Sequence, residues 1–230
     1  MPIYDFEVEL VREDGAKLPG IQLTPDPETG KAANGAGVVL VAGEWGLAPE
    51  LVDRIGKDLA AAGFFVTAID LVGGHRAATA EQARTRAEGI DHASAILDLE
   101  AAILDVKQLA SGKIGVIGFD LGATVALEAA TTLPQIDAVV HAGGLPPGAH
   151  APLARLRAAV LILRAEQSTL LAKADYDAIV KRAEPSKATI MRAVYSAADG
   201  FFARPATDDD RSAATIAMDR ARDFLVASLT

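Results

Sequence analysis

The chain opens on alternating polar and apolar positions and turns to continuous apolar runs in its middle. "YDFEVELV" (residues 4 to 11) alternates with the two-residue period of a half-buried strand, and the turn pair Asp14-Gly15 separates it from "KLPGIQL" (17 to 23). The two segments predict an antiparallel hairpin, and Pro19 assigns the second strand to an edge because proline cannot donate to a ladder hydrogen bond. "VVLVAG" (38 to 43) carries no polar residue, the pattern of a central strand buried on both faces of a parallel sheet. Between them the Pro- and Gly-rich "TPDPETGKAANGAG" predicts a surface loop.

From residue 49 onward helix and strand patterns alternate. A helix over 49 to 62 stops at Gly63, the strand "FFVTAID" stops at Asp70, and a helix over 92 to 110, a strand over 114 to 118 and a helix over 122 to 132 come next. The second half adds the strands "DAVVHAG" and "AVLILRA", a helix over 171 to 183, the strand "ATIMRAVY" and a helix over 212 to 228. Residues 72 to 92 and 143 to 155 are left as loops. This order predicts an α/β fold with a mostly parallel sheet flanked by helices. Nothing in the pattern divides residues 1 to 230, so one domain is expected.

Charge and composition narrow the partners. The formal charge is −9, and no stretch forms a basic cluster, so nucleic acid is not an expected partner. The absence of cysteine excludes disulfides, thiolate metal sites and a thiol nucleophile, and fits a reducing cytoplasm. The N-terminal "MPIYDFEVEL" lacks the basic start and apolar stretch of a signal peptide, and no uncharged apolar run is long enough to span a membrane. The expected partner is a small molecule. Monomer and homodimer both remain open.

In a parallel sheet of this kind, ligands sit beyond the C-terminal ends of the strands. The residues there include Glu44 and Trp45, Asp70 to Arg76, Asp120 and Leu121, His141 to Gly144, Glu166 to Thr169, and Asp199 to Phe202. "GFDLGA" (118 to 123) is the most informative of these stretches. Strand, glycine turn and helix form the setting in which α/β hydrolases present a nucleophile, yet the central residue is Asp120.

These stretches together resemble the dienelactone hydrolase family of α/β hydrolases. "VVLVAGEWG", "AAAGFFVTAIDL", "DLEAAI", "KIGVIGFDLGA" and "GFFARPA…AATIAMDRARDFL" carry the similarity over nearly the whole chain. The resemblance implies an α/β-hydrolase fold and a Cys-His-Asp triad, but all three triad positions are changed. The nucleophile position falls on Asp120, the acid on Ser168 of "AEQS", and the histidine on Asp199 of "ADGFF". Glu44 matches an acidic residue of the family. Arg204 aligns with a family arginine that binds the substrate carboxylate; a second such arginine falls on Gly74, with Arg76 as a stand-in two residues away.

The implied fold brings Glu44, Asp120 and Asp199 to one cleft, where like charges cannot all stay ionised. Asp120, at a helix N-terminus, is favoured as an anion, so the proton is expected on Asp199 or Glu44. Such a set suits acid–base chemistry, such as epoxide opening, cyclisation or isomerisation. The backbone N–H groups of Trp45 and Leu121 would be a remnant oxyanion hole. Arg204, Arg76, His75, His141 and Phe201 are the expected substrate contacts. Two other readings stay open: hydrolysis of an ester, lactone, epoxide or halide by Asp120 or a relocated nucleophile, and a catalytically inactive small-molecule-binding protein. No cofactor is expected. No metal loop of the DxDxDG kind is present, and "TDDD" (207 to 210) reads as a solvated loop or a helix start.

Overall fold

Eight strands form one sheet in the order β1-β2-β4-β3-β5-β6-β7-β8 in this computed structural model, which describes residues 3–25 and 35–230. The strands are β1 Tyr4–Val11, β2 Lys17–Thr24, β3 Gly37–Ala42, β4 Phe65–Asp70, β5 Ile114–Phe119, β6 Ala138–Ala142, β7 Ala159–Ala165 and β8 Ile190–Tyr195. β1 with β2 and β2 with β4 pair antiparallel, and every other neighbouring pair is parallel. The expected α/β architecture and N-terminal hairpin are therefore present. Residues 26–34 of the expected loop lie outside the described residues.

Pro19 does not mark an edge. β2 runs between β1 and β4, but its ladder to β4 begins only at Gly20, paired with Ile69. Pro19 faces β1 alone, so its missing N–H breaks no bond to β4.

The apolar runs are explained by burial on both faces. Val38 and Leu40 of β3 enter one core with α1 and α6, while Val39 and Val41 enter the other with α3, α4 and α5. α1 is a single helical stretch in three pieces, Pro49–Leu51, a π turn Val52–Gly56 and Lys57–Ala61. The Lys57 N–H reaches back to the Val52 carbonyl there, one residue further than in an α-helix. α2 is Ala80–Gly89, α3 His92–Leu109, α4 Leu121–Ala129, α5 Lys173–Ala183 and α6 Asp208–Leu229.

One helix was not expected and one starts early, both because caps decide them, while α4 ends at Ala129 short of the expected 132 and α5 starts at Lys173 two residues late. α2 lies where a loop was expected. It buries only Ala83, so no hydrophobic period betrays it, but Thr79 Oγ1 accepts from the Gln82 N–H at 3.2 Å and Gln82 Oε1 accepts from the Ala78 N–H at 2.9 Å. α6 starts at Asp208 rather than 212, because Thr207 and Asp210 form a reciprocal capping box. "TDDD" is thus a helix start. No helix among the described residues is long and apolar enough to cross a membrane.

Candidate active site

β5 and α4 meet at Asp120 in a turn tighter than ordinary side chains allow. A Cβ on Gly118 would stand 2.2 Å from the Gly122 carbonyl oxygen, and one on Gly122 would stand 2.3 Å from that of Val41. Only glycine on both sides lets the chain reverse so close to β3. Asp120 itself holds φ 52° and ψ −124°, which for a residue with a Cβ costs on the order of 1–3 kcal/mol. The strained elbow is retained although it carries no hydroxyl or thiol.

The expected helix-end role of Asp120 is taken by another residue. Asp120 makes no side-chain bond to the first turn of α4; instead the Leu121 N–H donates to Glu44 Oε2 at 3.0 Å. Glu44 thereby occupies one of the two donors expected to form an oxyanion hole. Burial pushes the Glu44 carboxyl above its usual range, and the neighbouring Asp120 charge adds to this, outweighing the backbone hydrogen bonds and Arg204.

Asp120 is buried and ion-paired with Arg204. The Arg204 guanidinium also stacks on Trp45, its central carbon 4.3 Å from the ring centroid. The segment carrying Arg204 is tied back at two points: the Arg204 N–H donates to the Gly200 carbonyl at 2.7 Å, and Arg54 donates to the Phe202 carbonyl. Arg54 lies in the π turn of α1, and no local pattern in the sequence marks it, because its partner lies far along the chain. In front of Asp120 lies a cavity of about 320 Å³, whose walls include Trp45, Leu51, Phe119, Arg76 and Arg204. Arg76 stands at its mouth, 3.9 Å from the exposed Glu50 carboxylate.

Asp199 meets a different environment. Its Oδ1 accepts from the Ser168 hydroxyl, and its Oδ2 accepts from the Thr169 N–H at 2.7 Å and the Thr169 hydroxyl at 2.8 Å. Burial works to raise this carboxyl, but the Ser168 and Thr169 bonds outweigh it and hold it below the usual carboxylate range. Of the two carboxyls on which the proton was expected, Asp199 is thus shifted toward its charged form and Glu44 toward its neutral form. Ser168 and Asp199, at the positions implied for the family's acid and histidine, do touch each other.

The remaining candidates divide. The expected convergence of three carboxylates on one cleft is not met: Asp120, Trp45, Arg76 and Arg204 line the cavity, whereas Glu44, Leu121, Ser168 and Asp199 lie outside its lining, as do His75, His141 and Phe201. Phe201 is in the core, 5.5 Å from Tyr195 and 6.2 Å from Phe202 between ring centroids, because "GFF" supplies apolar surface that packs under the segment. His141 is fully buried in β6, level with Gly118, and burial pushes its imidazole down to about 4. His75 is exposed and offers its carbonyl to Arg86 at 2.6 Å. Asp70 organises the rim: Oδ1 accepts from the Val72 and Gly74 N–H groups at 2.9 Å each, and Oδ2 from the Leu47 N–H at 3.1 Å. Among the described residues no group of three or more His, Asp or Glu side chains could hold a metal ion.

Residues 26–229 match the sequence profile of the dienelactone hydrolase family. Among solved structures, m3DLH superposes with a TM-score of 0.84 at 24% identity, covering 99% of each chain. The dienelactone hydrolase-like promiscuous phosphotriesterase P91 from metagenomic libraries gives 0.80 at 19% identity over 100% of each chain. The Pyrococcus furiosus esterase Pf2001 gives 0.69 at 17% identity, over 98% of this chain and 91% of that one. No curated protein matches the chain by sequence.

Proposed function

The chain belongs to the dienelactone hydrolase family, and on that premise we propose that it is a small-molecule enzyme working by proton transfer between Glu44 and Asp120, in place of covalent acyl transfer. One observation carries this reading. Glu44, its carboxyl raised by burial and by Asp120, sits on the Leu121 N–H beside an Asp120 that is ion-paired with Arg204. A carboxyl shifted toward its neutral form next to a carboxylate paired with a cation is the kind of arrangement general acid–base catalysis uses.

In this mechanism a ligand enters the cavity and places a weakly acidic C–H or O–H near Asp120. Asp120 accepts that proton, Arg204 keeping the carboxylate oriented, while Glu44 delivers its own proton to an oxygen at the other end of the rearranging system. The proton taken and the proton given balance, and the pair resets when Asp120 returns its proton to Glu44, so isomerisation or cyclisation requires no co-reactant, while epoxide opening to a diol consumes one water that attacks the ring carbon. Asp199 then acts as a positioning residue for the Ser168–Thr169 turn.

Ester hydrolysis at Asp120 has less support. A carboxylate attacking an ester gives an anhydride, and the water step needs a base at the position of Asp199, which is held below the usual carboxylate range. A second reading, a binding protein without catalysis, is favoured by one fact: Glu44, Asp120 and Asp199 all have partners within the chain.

The test is a panel of lactones, epoxides and enol acids incubated in D₂O and followed by NMR and intact mass. Proton transfer predicts solvent deuterium in the product and no protein adduct, with turnover falling about 100-fold or more in both Glu44→Gln and Asp120→Asn. A covalent adduct on Asp120 would instead establish the aspartyl nucleophile. Thermal stabilisation by a ligand that is never converted would establish the binding reading.

A further inference from the structure

Away from the elbow, the fold assembles a cluster of cations that no single stretch of the sequence displays. Between α5 and the strands β7 and β8 lies a groove of about 720 Å³, lined by Arg164, Glu166, Lys173, Tyr176, Asp177 and Arg192 together with Val194. Arg164 is only 9% exposed, and its bonds go to carbonyls, Nε to Leu171 at 2.8 Å and Nη2 to Glu166 at 3.4 Å. Among the described residues it has no carboxylate partner. A buried guanidinium held by carbonyls alone keeps part of its desolvation cost, because carbonyl dipoles offset a full charge less than a counter-ion does.

A second group in the groove is likewise unsatisfied. Tyr176 is 6% exposed, and its hydroxyl has no hydrogen-bond partner among the described residues. Arg192 covers the ring face, 5.4 Å from guanidinium carbon to centroid. Burial raises the Tyr176 phenol above its usual value, with Arg192 and Arg164 pulling the other way, so it remains a donor at neutral pH. Asp177 is shared between Lys173 at 2.8 Å and Arg192 at 3.4 Å. Three cations, Arg164, Lys173 and Arg192, thus line the groove against the two carboxylates of Asp177 and Glu166.

We propose that this groove binds the phosphate group of a small ligand, with Arg164 and the Tyr176 hydroxyl as its floor and Lys173 and Arg192 as its rim. A phosphate carries close to two negative charges at neutral pH and three acceptor oxygens, which matches an excess of cations and donors on several sides. It supplies the counter-ion that Arg164 lacks and the acceptor that Tyr176 lacks. Lys173 and Arg192 are already joined through Asp177, so the rim is organised before the ligand arrives.

The proposal is tested by calorimetric titration of the full chain at ionic strength held constant with chloride. Inorganic phosphate forms one arm, a sugar monophosphate the second and the unphosphorylated sugar the third. Saturable binding is expected in the first two arms only, weakened about fivefold by Tyr176→Phe and by at least as much in Arg192→Ser. Without phosphate, Tyr176→Phe should unfold no lower than the wild-type temperature, because the buried hydroxyl it removes has no partner. Tighter binding of the sugar phosphate would assign the site to a phosphorylated metabolite, and equal binding to the free ion; both support the site. Absence of saturable binding up to about 10 mM in both phosphate arms, or affinities unchanged in both variants, overturns it.

Discussion

Glu44 and Asp199 are half-buried carboxyls beyond the C-terminal ends of β3 and β8, and their surroundings shift them in opposite directions. Glu44 has one backbone donor, Leu121, and the Asp120 charge close by, so burial wins and the carboxyl is raised. Asp199 feels burial too, but the Ser168 hydroxyl and two donors from Thr169 reverse the result. The number of donors aimed at a carboxylate, more than its depth, decides the direction in which each is shifted. The two corners differ also in what they bond: Glu44 meets the first turn of α4, while Asp199 holds the Ser168–Thr169 turn.

The largest effect that could break this contrast is expected from Arg204→Met. It leaves the Asp120 carboxylate, only 5% exposed, without its cation, while Arg204 itself is 33% exposed. The penalty for breaking a buried pair, discounted for that exposure, is on the order of 2 kcal/mol, read by urea unfolding at neutral pH. A loss near zero would mean that the elbow tolerates an unpaired Asp120.

Asp199→Asn should lose about 1 kcal/mol at pH 7 in the same measurement, because the amide cannot accept from all three donors. The sign comes from the depressed carboxyl. Its stabilisation is present above the usual 3.8 and disappears as pH falls through the lower folded value, so wild type and variant should converge in acid.

Glu44→Gln should act in the reverse sense, a gain in stability at neutral pH in thermal melts. Folding favours the protonated form of Glu44, so the wild type loses stability as pH rises from the usual 4.5 through the raised folded value, and below 4.5 the gain should vanish. A less stable Glu44→Gln protein at pH 7 would show that the Leu121 bond outweighs burial, and the contrast with Asp199 would collapse.

Much of the fold was legible because its central strands are apolar on both faces and its caps use side chains with recognisable spacing. β3 and β5 are buried throughout and read directly as continuous runs. α2 was missed because its single buried side chain, Ala83, leaves no period, although Thr79 and Gln82 held the signal. At the site, the elbow and its neighbours Glu44 and Asp120 could be located from sequence. The bonds among them could not: Asp120 and Arg204 are 84 residues apart, and nothing local says that Glu44 rather than Asp120 meets the Leu121 N–H. The same holds for the cations gathered between α5 and β8, whose members are scattered from Arg164 to Arg192.

The π turn of α1 has a consequence for how this protein can change over generations. Val52–Gly56 contains one residue more than a regular helical turn would need, and Leu51, immediately before it, forms part of the cavity wall. Loss of a single codon within that turn would restore an ordinary helix and rotate its N-terminal end by about 100° relative to the Lys57–Ala61 end. Leu51 would leave the wall in one mutational step, and the anchor that Arg54 provides to Phe202 would go with it. A lineage could thus reshape this cavity by a length change far more abruptly than by exchanging the side chains that line it.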